Sequence, residues 1–200
     1  RYIIKIIGCH TYFVAGPNDV RMPHALDDIV TIGYDSNGKQ SWVARYNGPD
    51  NGFDAAGSLA TDKDGNAYVS GITTGPTVVS GGSARSTNLD LITIKYGKDG
   101  QEQWRTRNII GATEYRSHGL GVDEKGNVYL TASWLTGKEK GGTFSLKYDN
   151  NGNQKWMIYH DVVVQSTVVD NRGNLYVLAT NTRDINKKTD FVILKYPATN

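Results

Sequence analysis

Asp62-Lys-Asp-Gly-Asn-Ala-Tyr68, Asp123-Glu-Lys-Gly-Asn-Val-Tyr129 and Asp170-Asn-Arg-Gly-Asn-Leu-Tyr176 are one heptapeptide written three times. The spacing Asp-x-x-Gly-Asn-x-Tyr is constant within each copy, while the copies lie 61 and then 47 residues apart. Insertions therefore fall between the motifs and not inside them. A glycine after two polar residues supplies the positive φ of a tight hairpin turn, and Asp and Asn bond back to such a turn's backbone. The tyrosine that follows opens a strand.

A second frame alternates with the first. Tyr34/Gly38/Trp42, Tyr96/Gly100/Trp104 and Tyr148/Gly152/Trp156 repeat one spacing, Tyr to Trp by eight and Gly to Trp by four. Each of these tyrosines ends a segment of alternating apolar and polar residues: 28–34, 90–96, 143–148 and, without a following Trp, 190–196. Val30, Ile32 and Tyr34 face one way while Thr31 and Gly33 face the other, the pattern of a strand with one buried face. No stretch carries a sustained helical stripe.

Each unit thus reads as four strands. A short strand A (56–61, 118–122, 166–169) precedes the Asp-x-x-Gly-Asn turn, and strand B (66–71, 128–133, 175–180) carries its tyrosine. A longer loop leads to strand C, and a second turn leads to strand D with its Trp. The N-terminal stretch fits in degenerate form, with 2–7 as strand A and 11–16 as strand B. The chain is expected to be all-β, a β-propeller of four-stranded antiparallel blades. Its four repeat units form one domain over 1–200, with blades near 1–46, 55–108, 118–160 and 166–200, the last lacking its outer strand. A β-solenoid or sandwich is the plainer alternative.

Composition agrees. Among 200 residues, 23 Gly and 12 Tyr suit many short strands and tight turns. No apolar run approaches the ~20 residues of a membrane span. A net charge of +2 with interspersed signs is unlike the basic stripe of a nucleic-acid binder. The single cysteine, Cys9, excludes an internal disulfide framework. A chain opening on Arg1 fits removal of an export signal, or an excised fragment.

The alternation of these two motifs resembles the bacterial SBBP-type propeller repeat and, more loosely, NHL and quinoprotein-type propellers. The resemblance is good over 28–196 and poor over 1–27. It implies a secreted or cell-surface protein and is specific for architecture only. Since such rings typically have more blades, three readings stay open: a closed four-bladed ring, part of a larger one, or closure by oligomerisation. An outer edge on the last blade invites a strand from a protein partner or a second copy.

Function is expected in the variable loops, 17–27, 47–54, 72–89, 109–117, 134–142 and 181–189, because repeats hold the scaffold constant. Trp134 lies outside the strand D frame, and as a loop residue it could stack on a sugar ring or a partner side chain; its plainer role is to pack over the end of a blade core. Tyr115, Arg116 and His118 form a polar-aromatic cluster before strand A, and Asp50 and Phe53 a lesser one; a solvated loop is the bland reading of both. The turn at Asp62, Asp64 and Asn66 resembles the start of a calcium loop, but no Glu follows at its twelfth position, and Asp and Asn serve tight turns without metal. No cofactor is otherwise implied. His10, His24, His118 and His160 lack metal-ligand spacing, no Gly-x-Ser-x-Gly elbow occurs, and Cys9 beside His10 makes a poor nucleophile and base. Carboxylate pairs assembled from different blades stay open. The reading is a non-enzymatic extracellular propeller acting as a structural or protein-interaction module, in a surface assembly. The alternative is a carbohydrate-binding or carbohydrate-cleaving propeller.

Overall fold

Among the described residues six tight turns end on a glycine with φ between 78° and 85°: Gly38, Gly65, Gly100, Gly126, Gly152 and Gly173. They are the two repeated turn motifs of the sequence, and each joins two antiparallel strands. The computed structural model describes residues 3–8, 28–75, 78–80, 83–85, 89–112, 114–136, 140–180 and 190–198. Among them there is no α-helix, only a short 3-10 turn at Pro49–Asn51.

Four antiparallel sheets follow one another. The first holds β1 (Ile3–Gly8), β2 (Ile29–Tyr34) and β3 (Gln40–Tyr46) in that order. The second begins with β4 (Asp54–Thr61) and β5 (Ala67–Thr74); a small hairpin of β6 (Val78–Ser80) and β7 (Ser83–Arg85) intervenes before β8 (Leu89–Tyr96) and β9 (Glu102–Ala112). The third is β10 (Glu114–Val122), β11 (Val128–Thr136), β12 (Lys140–Tyr148) and β13 (Gln154–His160). The fourth is β14 (Val163–Val169), β15 (Leu175–Thr180) and β16 (Phe191–Tyr196). Three- and four-stranded sheets stacked in sequence make an all-β, propeller-like fold.

The core lies between sheets and not within any one of them. Ile29 and Tyr46 of the first sheet pack on Val69, Ile92 and Ile94 of the second. Tyr68 and Leu91 of the second pack on Leu130, Phe144 and Leu146 of the third. Tyr129 of the third packs on Leu175 and Val177 of the fourth. Strand alternation gives each sheet a forward face, turned to its successor, and a backward face. The inner strands β4, β10 and β14 run side by side, and Ser58 Oγ meets Ser117 Oγ at 2.6 Å.

Two polar devices repeat along this stack. The strand D indole reaches forward: Trp42 Nε1 donates to Lys98 O at 3.0 Å and Trp104 Nε1 to Asn150 O at 2.9 Å. The glycines of those turns must be glycine twice over, for a Cβ on Gly100 or Gly152 would stand 2.7 or 2.8 Å from the Trp42 or Trp104 ring. Beneath each repeated tyrosine lies a lysine. Lys95, Lys147 and Lys195 each set Nζ 5.3 Å from the ring centre of Tyr68, Tyr129 and Tyr176.

The structure corrects the expected first unit. β1 pairs directly with β2, Ile3 opposite Tyr34, as Ala67 pairs opposite Tyr96 in the second sheet. Ile3–Gly8 therefore fills the strand B position, not strand A. The segment proposed as strand B, 11–16, lies outside the described residues, within the connection from β1 to β2. A second correction concerns strand A. The inner strands start earlier than read, at Asp54, Glu114 and Val163, so 114–117 belong to a strand and not to a loop.

Candidate functional site

At the end of the sheets away from the glycine turns, the third and fourth sheets part to form an open cleft of about 730 Å3. Its wall on one side is the start of β10 (Glu114 to His118), the end of β11 (Ser133 to Leu135) and Gly141 to Thr143 of β12. Its wall on the other is Val162 to Gln165, at the start of β14. Four of the six residues singled out from sequence, Tyr115, Arg116, His118 and Trp134, are brought together here.

They do not play equal parts. Trp134 pairs opposite Tyr115 across β10 and β11 and lies in β11, not in a loop. By alternation it faces the same way as Leu130 and Ala132, and both aromatic residues pack on the core between the second and third sheets. The side chains of Arg116 and Ser133, directly opposite one another in the ladder, face the fourth sheet instead.

His118 owes its place to a bulge. The β10–β11 register slips between Ser117 and Gly119, which leaves His118 as the extra residue. The same slip occurs in β4 at Gly57 and in β14 at Gln165. A bulge re-aims the residue it contains. Here it brings two polar side chains, His118 and Gln165, to the walls of one cleft, while Gly57 has none to offer. His118 Nε2 lies 2.9 Å from Ser133 Oγ. Burial, and then the nearby Arg116 cation, lower its pKa below that of a free histidine.

A neutral histidine against a serine hydroxyl resembles a nucleophile and its base. The same pairing recurs in the interior, where it is structural. His160 Nε2 lies 2.8 Å from Ser145 Oγ, which meets Thr131 Oγ1 at 2.6 Å, while His160 Nδ1 meets Tyr196 OH at 3.0 Å. Ser145 is fully buried, and His160 nearly so. This fold therefore uses Ser–His pairs to satisfy polar groups between strands.

Asp50 and Phe53 lie elsewhere, in the connection from β3 to β4. Asp50 belongs to the 3-10 turn, and Phe53 O accepts from Thr74 N at 2.9 Å, closing that connection onto β5. Neither lines the cleft. The turn considered for calcium is occupied by its own chain. Asp62 Oδ1 accepts from Asp64 N and Asn66 N, and Oδ2 from Asn66 Nδ2 and Tyr68 OH, at 2.7–3.0 Å. Burial alone would raise the pKa of Asp62, but these donors outweigh it and hold the carboxyl below its usual range. Among the described residues no group of three or more His, Cys, Asp or Glu could hold a metal ion. Cys9, His10 and His24 lie outside the described residues.

Sequence reasoning missed Ser133 and Gln165, because no residue pattern announces a bulge. It also missed the lysines under the tyrosines, although a Lys-Tyr pair ends three of the four strand C copies.

These features define a propeller-like repeat protein. No family profile matches the chain. Over 209 aligned positions it is 28% identical to an uncharacterised WD repeat-containing protein of Acanthamoeba polyphaga mimivirus. That alignment takes in 82% of this chain but only 15% of the viral protein. Among solved structures, a mutant apocarotenoid oxygenase of Synechocystis superposes with a TM-score of 0.42 at 13% identity, over 86% of this chain and 41% of that one. No helix among the described residues is long and apolar enough to cross a membrane.

Proposed function

We propose that the chain forms blades of a non-enzymatic β-propeller, secreted or displayed at a cell surface, that works as a protein-interaction module. The cleft between the third and fourth sheets is its partner site. One observation carries this reading: Arg116 and His118, polar residues that depart from the repeat, are gathered there. Arg116 stands where β4 has Ala55 and β14 has Val163, and His118 where β4 has Gly57. The residues that do repeat are consumed by the scaffold, in turns, indole bonds and lysine–tyrosine contacts. Arg116 is exposed, and no carboxylate among the described residues pairs with it. A free guanidinium beside a neutral His–Ser pair suits an extended segment that offers a carboxylate and backbone amides. The viral WD repeat relative supports a repeat architecture, and the SBBP-like motifs support export. A glycan would want a free aromatic face, whereas Trp134 is packed on the core.

Selection from a displayed peptide library tests the reading. Enriched peptides should carry Asp or Glu and should lose binding to Arg116→Glu, which keeps the melting temperature of the parent, and to His118→Ala, whose folding is checked by its own thermal transition. Enrichment that ignores both substitutions would sink the proposal.

A further inference from the structure

The cleft opens because aromatic side chains fill one junction between sheets and not the next. Between the second and third sheets, Tyr115 and Trp134 of the third pack with Leu91, which is 2% exposed. In the fourth sheet Val162 stands where the third has Tyr115, one residue before Val163, the counterpart of Arg116. The smaller side chain leaves the end of the third sheet's forward face open to the cleft.

Two adjoining rows of that face line the opening. In one row Arg116 lies opposite Ser133 and Ser133 opposite Thr143; in the next, Glu114 lies opposite Leu135 and Leu135 opposite Gly141. Alternation points both rows toward the fourth sheet, and the two residues of strand between them span about 7 Å. The matching rows of the second sheet are mostly apolar, with Ala55, Ile72 and Leu91 in one and Thr74 and Leu89 in the other. The third sheet thus places a cation in one row and keeps an apolar side chain in the row beside it. Leu135 is 45% exposed and lies over Gly141, where a Cβ would stand 2.5 Å from Leu135 Cδ2. Only a glycine lets the leucine lie down against the sheet there.

Resting on the cleft as the partner site, we propose that it reads a three-residue pattern in an extended segment of the partner: an acidic residue, any residue, then an apolar one, in either direction of the chain. The carboxylate pairs with Arg116, and the apolar side chain lies between Leu135 and Val162. Residues i and i+2 of an extended segment share a face about 7 Å apart, which is the step between the two rows. Glu114 flanks the apolar place, so a second carboxylate there meets like charge and is rejected. Arg116 supplies the attraction, while Leu135 and Glu114 set the specificity.

The displayed peptide library tests this with the chain and two variants, Leu135→Ser and Glu114→Gln. Both side chains are exposed, and the thermal transition of each variant checks that it folds. Peptides enriched by the parent should carry Leu, Ile or Val two residues from the Asp or Glu that depends on Arg116. A synthetic peptide of the enriched sequence should bind Leu135→Ser roughly tenfold more weakly than the parent. Glu114→Gln should admit acidic residues at the apolar place. Arg116-dependent acids with no preference two residues away would overturn this inference and leave the partner site standing. So would an apolar preference that Leu135→Ser does not change. Enrichment without any Arg116-dependent acid removes the partner site itself, and this inference with it.

Discussion

Trp104 Nε1 and the carbonyl oxygen of Asn150, 46 residues apart, lie 2.9 Å from each other across the junction of the second and third sheets. The indole packs between Tyr68 of its own sheet and Tyr148 of the next, with ring centres 6.2 Å away in both cases. One side chain thus joins apolar burial to a directional bond that fixes the angle between sheets. Trp104→Phe keeps most of the packing and loses the donor, leaving the exposed Asn150 carbonyl to water. The expected cost is about 0.5–1.5 kcal/mol, against about 3–5 kcal/mol for Trp104→Ala. Urea denaturation with an unchanged slope reads both values. A phenylalanine variant as stable as the parent would show that the bond contributes nothing.

The Asp-x-x-Gly-Asn-x-Tyr motif is a hydrogen-bond cage around one carboxylate. Asp123 accepts from Lys125 N, Asn127 N, Asn127 Nδ2 and Tyr129 OH, all at 2.8–3.1 Å. Tyr129 is 2% exposed, so Asp123→Ala strands its hydroxyl. That substitution is expected to cost about 3 kcal/mol. Because these donors occupy the carboxylate, calcium or a chelator should leave the thermal midpoint where it was. A rise in the midpoint with calcium, abolished by Asp62→Asn, would show that the turn binds metal after all.

The sequence made the scaffold legible because the scaffold is repetitive. Asp123, Gly126 and Trp104 each answer a local demand, a caged turn, a positive φ or a bond to the next turn, and a local demand leaves its mark at fixed spacing. The first unit was misread for the opposite reason. With no Asp-x-x-Gly-Asn turn to anchor it, Ile3–Gly8 could be placed only by its pairing with β2, which is tertiary information. The cleft was half legible. Arg116 and His118 stood out as residues foreign to the repeat, but Ser133 and Gln165 join them only through a bulge and the meeting of two sheets. Trp134 stood out as the only tryptophan out of frame, and its alternation with Leu130 and Ala132 puts it in the core between sheets.

Two histidines, His160 buried and His118 half-buried, make stability depend on pH in a definite direction. Burial lowers the pKa of His160, and burial together with Arg116 lowers that of His118. Both folded values lie below the ~6.5 of an unfolded histidine. On acidification the unfolded chain takes up protons first, so stability is full above about pH 7.5 and falls as pH drops through 6.5. The thermal midpoint should decline between pH 7.5 and 5.5, and His160→Asn should flatten the decline while lowering the neutral-pH value. The alkaline limb has the same logic with the opposite sign. Burial pushes Tyr148 and Tyr96 up to about 12, so unfolded tyrosines ionise first and stability is lost as pH rises above 10.

One ion pair occurs twice in this fold, at two depths, and so separates burial from geometry. Arg45 Nη1 meets Asp28 Oδ2 at 2.9 Å in the first sheet, with the arginine side chain 63% exposed. In the second sheet Arg107 engages Asp90 through Nε at 2.7 Å, with the side chains 23% and 2% exposed. The Asp28 side chain is only 11% exposed, so it is the solvent-reached arginine that distinguishes the first pair: water screens a pair open on one side, and the long side chain loses entropy in forming it. A buried carboxylate that loses its cation is left charged in a poor solvent, which costs far more than the pair contributed. Arg107→Met is therefore expected to destabilise by about 3 kcal/mol and Arg45→Met by less, about 1–2 kcal/mol, since Asp28 keeps some access to water. Asp90→Asn combined with Arg107→Met should recover part of the larger loss, since no buried charge remains. Equal costs at the two sites in urea denaturation would mean that burial does not set the strength of this pair.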